Sequence, residues 1–157
     1  MPTYILSIKC ELENIERLTP LESNHWKFDV ESSSGDVKEG ITVSSVDEIE
    51  LDNSRGICNF VMKWHGDREQ SHIKIVPIKK VDGTYKATDS GNYVQILAME
   101  CRGLVPVKWH PMCDFSATST GGFKFDEVDL SDDWAEYDEE NDASVSIMGL
   151  ESKIERG

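Results

Sequence analysis

Cysteine thiols and histidine imidazoles are the side chains in this sequence whose chemistry suits a metal ion. A structural zinc site takes four such ligands, typically as two pairs with two residues between the members of each pair. The chain has four cysteines and four histidines, but no C-x-x-C pair. The nearest arrangement is Cys101 followed by His110 and Cys113, and three ligands are a weak signal. We favour packed, reduced thiols for Cys10, Cys58 and Cys101, and expect Cys113, in a polar stretch, to be the reactive one.

Catalysis would need a nucleophile, a base and an orienting group within hydrogen-bond reach of one another. The histidines are scattered along the chain, which has neither a nucleophile elbow nor a glycine-rich phosphate loop. Asp132 and Asp133 are adjacent carboxylates, but no apolar pocket is in view that would raise a pKa. We therefore expect a protein that is not an enzyme. The alternative is an enzyme or small-molecule binder whose site forms only in the folded chain.

The charge and composition of the chain restrict its partners and its location. With 30 acidic and 16 basic side chains in 157 residues, the formal net charge is −14, which argues against nucleic acid and anionic membrane surfaces as partners. It favours solubility and a basic protein partner. The N-terminal residues lack the features of a signal peptide, and no apolar run is long enough to span a membrane. We expect a monomer without cofactor in the cytoplasm or nucleus, with residues 1–157 forming a single domain.

An acidic segment occupies residues 126–142, with ten acidic residues and no lysine or arginine. Such runs are usually solvated surfaces, which is the simpler interpretation. Two aromatic residues lie inside the run, so we expect both to pack on the body of the domain while the carboxylates face water. The partner surface predicted on this segment consists of Asp132, Asp133, Trp134, Tyr137, Asp138 and Glu139.

Alternation of apolar and polar residues predicts β-strands along most of the chain. Residues 5–10 (ILSIKC) and 96–101 (ILAMEC) are almost alike, and each is followed by a stretch that ends in proline. We therefore predict an all-β, sandwich- or barrel-like single domain of two pseudo-symmetric halves with little helix. The predicted elements are hairpins at 25–44 and 58–78, a central strand covered on both faces at 92–101, and short strands at 105–109 and 144–148. Only residues 11–18 and 132–137 have a pattern that allows a helical turn or two.

Several stretches, in order along the chain, resemble one protein family. They are residues 12–15, residues 54–56 with Val61 and Lys63, residues 100–107 (ECRGLVPV) with Pro111 and Phe115, residues 133–134 with residues 137–139, and residues 144–147. Their order and spacing resemble the eukaryotic CXXC-motif-containing zinc-binding protein family over nearly the whole chain. The resemblance implies a small, mainly β fold with internal pseudo-symmetry, in which two hairpin tips each present a C-x-x-C pair to zinc. It implies zinc binding but no defined reaction.

The chain departs from the family at the metal ligands. The resemblance places the first pair of ligand positions at Ser32 and Gly35 and the second pair at Trp64 and Asp67, and none of these is a thiol. A structural zinc ion supplies on the order of 10 kcal/mol to a small fold, so its loss requires another means of closing the tips. We expect no zinc here, and tips closed by burial of the Trp64 indole and by hydrogen bonds of the serine-rich turn.

The favoured function is therefore that of a non-catalytic interaction or scaffold protein with the family fold and without its zinc site. The alternative is a protein that binds zinc or another metal through residual ligands. Two ligand sets are conceivable for this alternative: one is Asp36, His65 and Asp67, and the other is His65, Cys101, His110 and Cys113.

Overall fold

The computed structural model describes residues 2–52 and 56–157, which form an all-β structure. These residues contain no α-helix and one turn of 3-10 helix at Ala87–Asp89, so the predicted fold class is confirmed. No helix in the two ranges has the length and apolar character needed to span a membrane. Ser54 and Arg55, which contribute to the family resemblance, lie outside the described residues. The strands of the described residues are β1 (Thr3–Glu13), β2 (Ile15–Pro20), β3 (Trp26–Glu31), β4 (Val37–Val43), β5 (Ile49–Glu50), β6 (Ile57–Cys58), β7 (Phe60–Met62), β8 (Ser71–Val76), β9 (Tyr85–Lys86), β10 (Val94–Arg102), β11 (Val105–His110), β12 (Phe115–Ser119), β13 (Lys124–Val128), β14 (Trp134–Asp138) and β15 (Ala143–Arg156).

These strands pair in four antiparallel sheets within the described part of the chain. The largest sheet has the order β14-β15-β1-β10-β8-β7, and the others are β13-β12-β2-β9, β11-β3-β4 and β5-β6. In the large sheet, β10 lies between β1 and β8, and its consecutive residues Ile96, Leu97, Ala98 and Met99 are all buried. Because successive side chains of a strand point to opposite faces, this confirms the predicted central strand that is covered on both faces.

Both predicted hairpins are present, as β3–β4 and as β7–β8. The strands expected at 105–109 and 144–148 are also present, as β11 and as part of β15. Among the described residues, a hydrophobic core joins the three larger sheets. Trp26, Trp109 and Phe115 bring strands β3, β11 and β12 together there, with ring centroids 5.8–6.1 Å apart.

The helical turns predicted at residues 11–18 and 132–137 are wrong, because both segments consist mainly of β-strand. Ile15 and Leu18 are both buried although they are three positions apart, a spacing typical of helices. A β-bulge produces this spacing. The register of β2 shifts opposite Thr118 and Ser119 of β12, so Glu16 is an extra residue and the two apolar side chains reach the same core.

The similar segments at residues 5–10 and 96–101 lie side by side in the large sheet, where Leu6 pairs with Leu97. The strands that follow them are exchanged: β2 pairs with β12, and β11 pairs with β3. Each of these pairings contains a bulge with one extra residue, Glu16 in β2 and Val107 in β11. The matching registers support the idea of two pseudo-symmetric halves, which stays a prediction.

Candidate functional site

The tip of the β3–β4 hairpin is closed by hydrogen bonds among its own residues. The Ser32 N–H donates to the Asp36 carbonyl at 2.8 Å, and the Gly35 N–H donates to the Ser32 carbonyl at 3.1 Å. The Ser32 hydroxyl accepts the Asp36 N–H at 3.0 Å and lies 3.0 Å from the Ser34 hydroxyl. Gly35 has a φ of +91°, which glycine adopts without strain. The serine-rich turn thus closes the hairpin as predicted.

The tip of the β7–β8 hairpin is anchored by Trp64, which is 8% exposed and belongs to the hydrophobic core. Its Nε1–H donates to the Gly103 carbonyl at 2.9 Å, and the Ser71 hydroxyl donates to the same oxygen at 3.2 Å. Gly103 has a φ of +77°, and a Cβ at this position would overlap the Ser71 hydroxyl. The predicted burial of Trp64 is confirmed.

Both tips contact the same short segment, residues 103–105, between β10 and β11. Trp64 bonds to Gly103, while Glu31, next to the first tip, pairs with Val105. Leu104 lies between these two contacts and is buried. The two hairpin tips therefore lie at the same end of the molecule, as the family resemblance implies.

The side chains at the four positions where the resemblance places metal ligands do not fit a zinc ion. The Ser32 hydroxyl is engaged in its turn, and Gly35 offers no side chain. The Trp64 indole nitrogen carries a proton and can only donate, so it has no lone pair for a metal. Asp67 is exposed. In residues 2–52 and 56–157, no three His, Cys, Asp or Glu side chains are grouped so that they could hold a metal ion.

The alternative ligands considered from the sequence do not converge either. His65 and Cys113 are exposed, whereas Cys101 is buried in β10. The Nε2 atom of His110 lies 2.8 Å from Oδ1 of Asp29, and this hydrogen bond lowers the pKa of the carboxyl group. Neither of the two ligand sets considered from the sequence forms a metal site in the described residues. The two sets are Asp36, His65 and Asp67, and His65, Cys101, His110 and Cys113.

Three of the four cysteines are buried, which confirms the prediction of packed thiols. Burial raises the pKa of Cys10 and of Cys101 to about 12, and it also raises the pKa of Cys58. These thiols stay protonated at neutral pH, and thiolate is the nucleophilic form. Cys113, by contrast, is exposed.

We expect an aromatic disulfide reagent at about pH 8 to label one thiol of the native protein and all four thiols of the unfolded protein. Cys113 should react because it is accessible to the reagent. The measurement is the absorbance of the released thiolate. In the control Cys113→Ser, native labelling should disappear. Rapid native labelling of more than one thiol would contradict the buried positions of Cys10, Cys58 and Cys101.

A second pair of hairpin tips is joined by a hydrogen-bond network that the sequence analysis missed. Asp138, at the end of β14, is fully buried. Its carboxylate accepts the Ser119 hydroxyl at 2.6 Å, the Asn141 side-chain amide at 2.7 Å and the Asn141 backbone N–H at 3.1 Å. Burial raises the pKa of Asp138, but the hydrogen bonds together outweigh it and leave the pKa below the ordinary value. A Cβ at Gly121 would overlap Asn141, so the β12–β13 and β14–β15 tips pack tightly together.

The acidic segment, residues 126–142, runs from β13 through β14 to the turn before β15, and its two aromatic residues differ in burial. Trp134 is half-buried and packs edge-on against Phe125, with ring centroids 5.2 Å apart. Tyr137 is 47% exposed, and its hydroxyl bonds to the Asp142 carboxylate, so the expectation that both aromatics pack on the body is wrong for Tyr137. Nine of the ten acidic side chains are exposed. Asp138 is the exception, and its assignment to a water-facing partner surface is corrected by its burial.

The chain is similar in sequence to proteins from several eukaryotes. A family model described as "CXXC motif containing zinc binding protein, eukaryotic" matches residues 5–155. The UPF0587 protein CG4646 of Drosophila melanogaster is 36% identical over 159 aligned residues, which cover 95% of this chain and 94% of that protein. The CXXC motif containing zinc binding protein of Homo sapiens is 31% identical, with 94% of each chain covered.

Solved structures are similar to this chain along nearly its whole length. A hypothetical protein from Plasmodium falciparum superposes with a TM-score of 0.93 at 30% identity, over 99% of this chain and 100% of that chain. The crystal structure of C1orf123 superposes with a TM-score of 0.89 at 28% identity, over 99% of each chain. Sequence and fold thus agree along nearly the whole length, and the chain belongs to the eukaryotic family of CXXC motif containing zinc binding proteins.

Proposed function

We propose that this chain is a non-catalytic member of its family that works without zinc and recruits a basic protein partner in the cytoplasm or nucleus. The observation that carries the proposal is the acidic edge of the large sheet. β14 is the outer strand of that sheet, and Ala135, Glu136 and Tyr137 on it are exposed. The acidic residues before and after it extend the same negative surface.

The acidic surface is suited to steering and recognition. It carries nine exposed carboxylates with no lysine or arginine between residues 126 and 142, and Trp134 fixes it to the body through Phe125. An ordered surface of one charge raises the association rate of an oppositely charged partner and suppresses acidic competitors. An edge strand also offers backbone groups that can pair with an extended segment. We therefore assign a basic, extended segment of a protein as the occupant of this edge.

The proposed absence of zinc follows from the chemistry of the two tips that the family uses. A zinc site of this kind needs four thiolates, and the structure instead has a hydroxyl-closed turn and a buried indole. The human relative is named for zinc binding, and we propose that this property does not extend to a chain without any C-x-x-C pair.

Elemental analysis tests the zinc-free state. We expect much less than one zinc ion per chain in protein expressed with added zinc and purified without chelator. The human relative, purified in parallel, is the control that shows whether the procedure preserves bound zinc. One tightly held zinc per chain would refute this part of the proposal.

A charge-neutralised variant tests the acidic surface. We expect the combined change of Asp132→Asn, Glu136→Gln, Glu139→Gln and Glu140→Gln to abolish the salt-sensitive capture of basic proteins from a eukaryotic lysate. The reason is that screening shortens the range of the electrostatic field to about 8–10 Å near physiological salt and further at higher salt. The matched control neutralises four exposed acids elsewhere, namely Glu39, Asp47, Glu48 and Glu50.

The readout is quantitative mass spectrometry of the captured proteins at low and high salt, followed by binding measurements with the purified candidate. Support requires a basic protein that is lost with the first variant and retained with the control. If both variants capture the same proteins, or if salt has no effect, the acidic surface is not a recognition surface.

A further inference from the structure

A cleft of about 430 Å³ lies beside the β7–β8 tip, on a part of the molecule that the proposed function does not use. Basic side chains gather there in a chain that is acidic overall. Lys63 and Arg68 come from the tip, and Arg102 comes from the end of β10. Among the described residues, neither Lys63 nor Arg68 has a carboxylate within ion-pair distance. The three cations outnumber the two carboxylates that line the same cleft, Asp52 and Glu69, so the cleft has a net positive charge in a chain that is acidic overall.

His72 lines the same cleft and is 6% exposed. It lies in β8 directly opposite Arg102 of β10, so the two side chains are cross-strand neighbours. No hydrogen bond among the described residues reaches the imidazole ring, and its nitrogens are not fully buried atoms without a partner, so they remain accessible from the cleft. Burial, and secondarily the charge of Arg102, lower the pKa of His72, while Glu100 opposes this effect. A neutral imidazole retains one N–H that can donate to a ligand.

The acidic residues of the cleft limit what it can hold. Glu69 lies 3.8 Å from Arg102, with both side chains mostly exposed, so this contact is weak. Asp52 also lines the cleft, and its backbone N–H donates to the Gln70 side chain at 2.9 Å. Three cations against two carboxylates leave a net charge of +1, which favours a single compact anionic group and disfavours a polyphosphate.

We propose that this cleft binds the phosphoryl group of a phosphate monoester. The guanidinium groups of Arg68 and Arg102 match the oxygens of a phosphoryl group in charge and geometry, and Lys63 adds a third cation. His72 supplies a hydrogen-bond donor that is accessible from the cleft. The site lies outside residues 126–142, so it is independent of the acidic surface.

The test follows the His72 imidazole by nuclear magnetic resonance at about pH 7.5, while inorganic phosphate, O-phosphoserine or a short phosphoserine peptide is added to the full chain. We expect a saturable shift of the ring signals with each probe. Sodium chloride at matched ionic strength and unphosphorylated serine are the negative controls. Equal affinities for O-phosphoserine and the peptide indicate a small phosphate ester as the ligand, and much tighter binding of the peptide indicates a phosphorylated protein segment.

The variants Arg68→Gln and Arg102→Gln should each weaken binding about tenfold or more, because each removes a charge-assisted hydrogen bond. Both residues lie in the cleft at exposed positions, so the fold should persist, and thermal melting verifies it. Lys38→Gln removes an exposed cation outside the cleft and should leave the affinity unchanged. Shifts that follow ionic strength without saturating, or equal affinities in all three variants, would overturn the proposal.

Discussion

Replacing Trp64 with alanine is expected to lower the free energy of unfolding by about 3–5 kcal/mol, as large aromatic truncations in cores do. The indole is almost fully buried in the main core, so its removal takes a large apolar side chain out of the core and leaves a cavity there. It also removes one of the two donors to the Gly103 carbonyl. The measurement is chemical denaturation followed by circular dichroism.

Two matched variants separate these contributions. Trp64→Phe keeps much of the apolar surface and loses the Nε1–H donor, so its cost should be clearly smaller than that of alanine. His65→Ala changes the exposed neighbour at the same tip and should be close to neutral. A cost for Trp64→Ala below about 1 kcal/mol would show that the indole does not replace the metal as the element that closes this tip.

The second large effect is expected at Asp138. Replacing it with alanine should lower the melting temperature by several degrees, because the buried Ser119 hydroxyl and the Asn141 amide lose their common acceptor. Glu139→Ala, at the next position, changes an exposed carboxylate and is the control. Equal melting temperatures for the two variants would mean that the network does not hold the β12–β13 and β14–β15 tips together.

The hydrogen bonds of Asp138 also predict how the stability of the folded protein depends on pH in the acid range. The pKa of Asp138 in the folded chain lies below the ordinary value of 3.8, so the carboxylate stabilises the folded state above that value. This stabilisation is lost as the pH falls from the ordinary pKa through the lower, folded pKa. The stability difference between the wild type and Asp138→Asn should therefore be constant near neutrality and shrink below about pH 4. A difference that stays constant down to the acid transition would contradict the lowered pKa.

The fold class, the hairpins and the burial of Trp64 could be predicted from the sequence because each leaves a local signal. A large aromatic at the end of a strand, on the apolar face set by Cys58 and Met62, has to be covered by the core. The closure of the first tip was also predictable, since Ser32 and Gly35 supply the hydroxyl and the positive φ that such a turn uses.

The errors came from features that depend on pairing between distant strands. The pattern of residues 132–137 allows a helical turn, and in a helix Trp134 and Tyr137 would share one face. In the observed strand, alternation puts Trp134 and Asp138 on the inner face and Tyr137 on the outer one. The burial of Asp138 depends on Ser119 arriving from another hairpin, and a count of acidic residues contains no sign of that contact.

The pairing of β2 with β12 and of β11 with β3 has a consequence for how the chain folds. A fragment that contains only one strand of each pair cannot form these sheets on its own. The pairings join residues far apart in sequence, and loop-closure entropy must be overcome before any of them becomes favourable. Folding should therefore be slow for a chain of this size and should occur in one cooperative step. A cut between β9 and β10 would separate these partners, and we expect the two pieces to reach the native structure only by complementing each other.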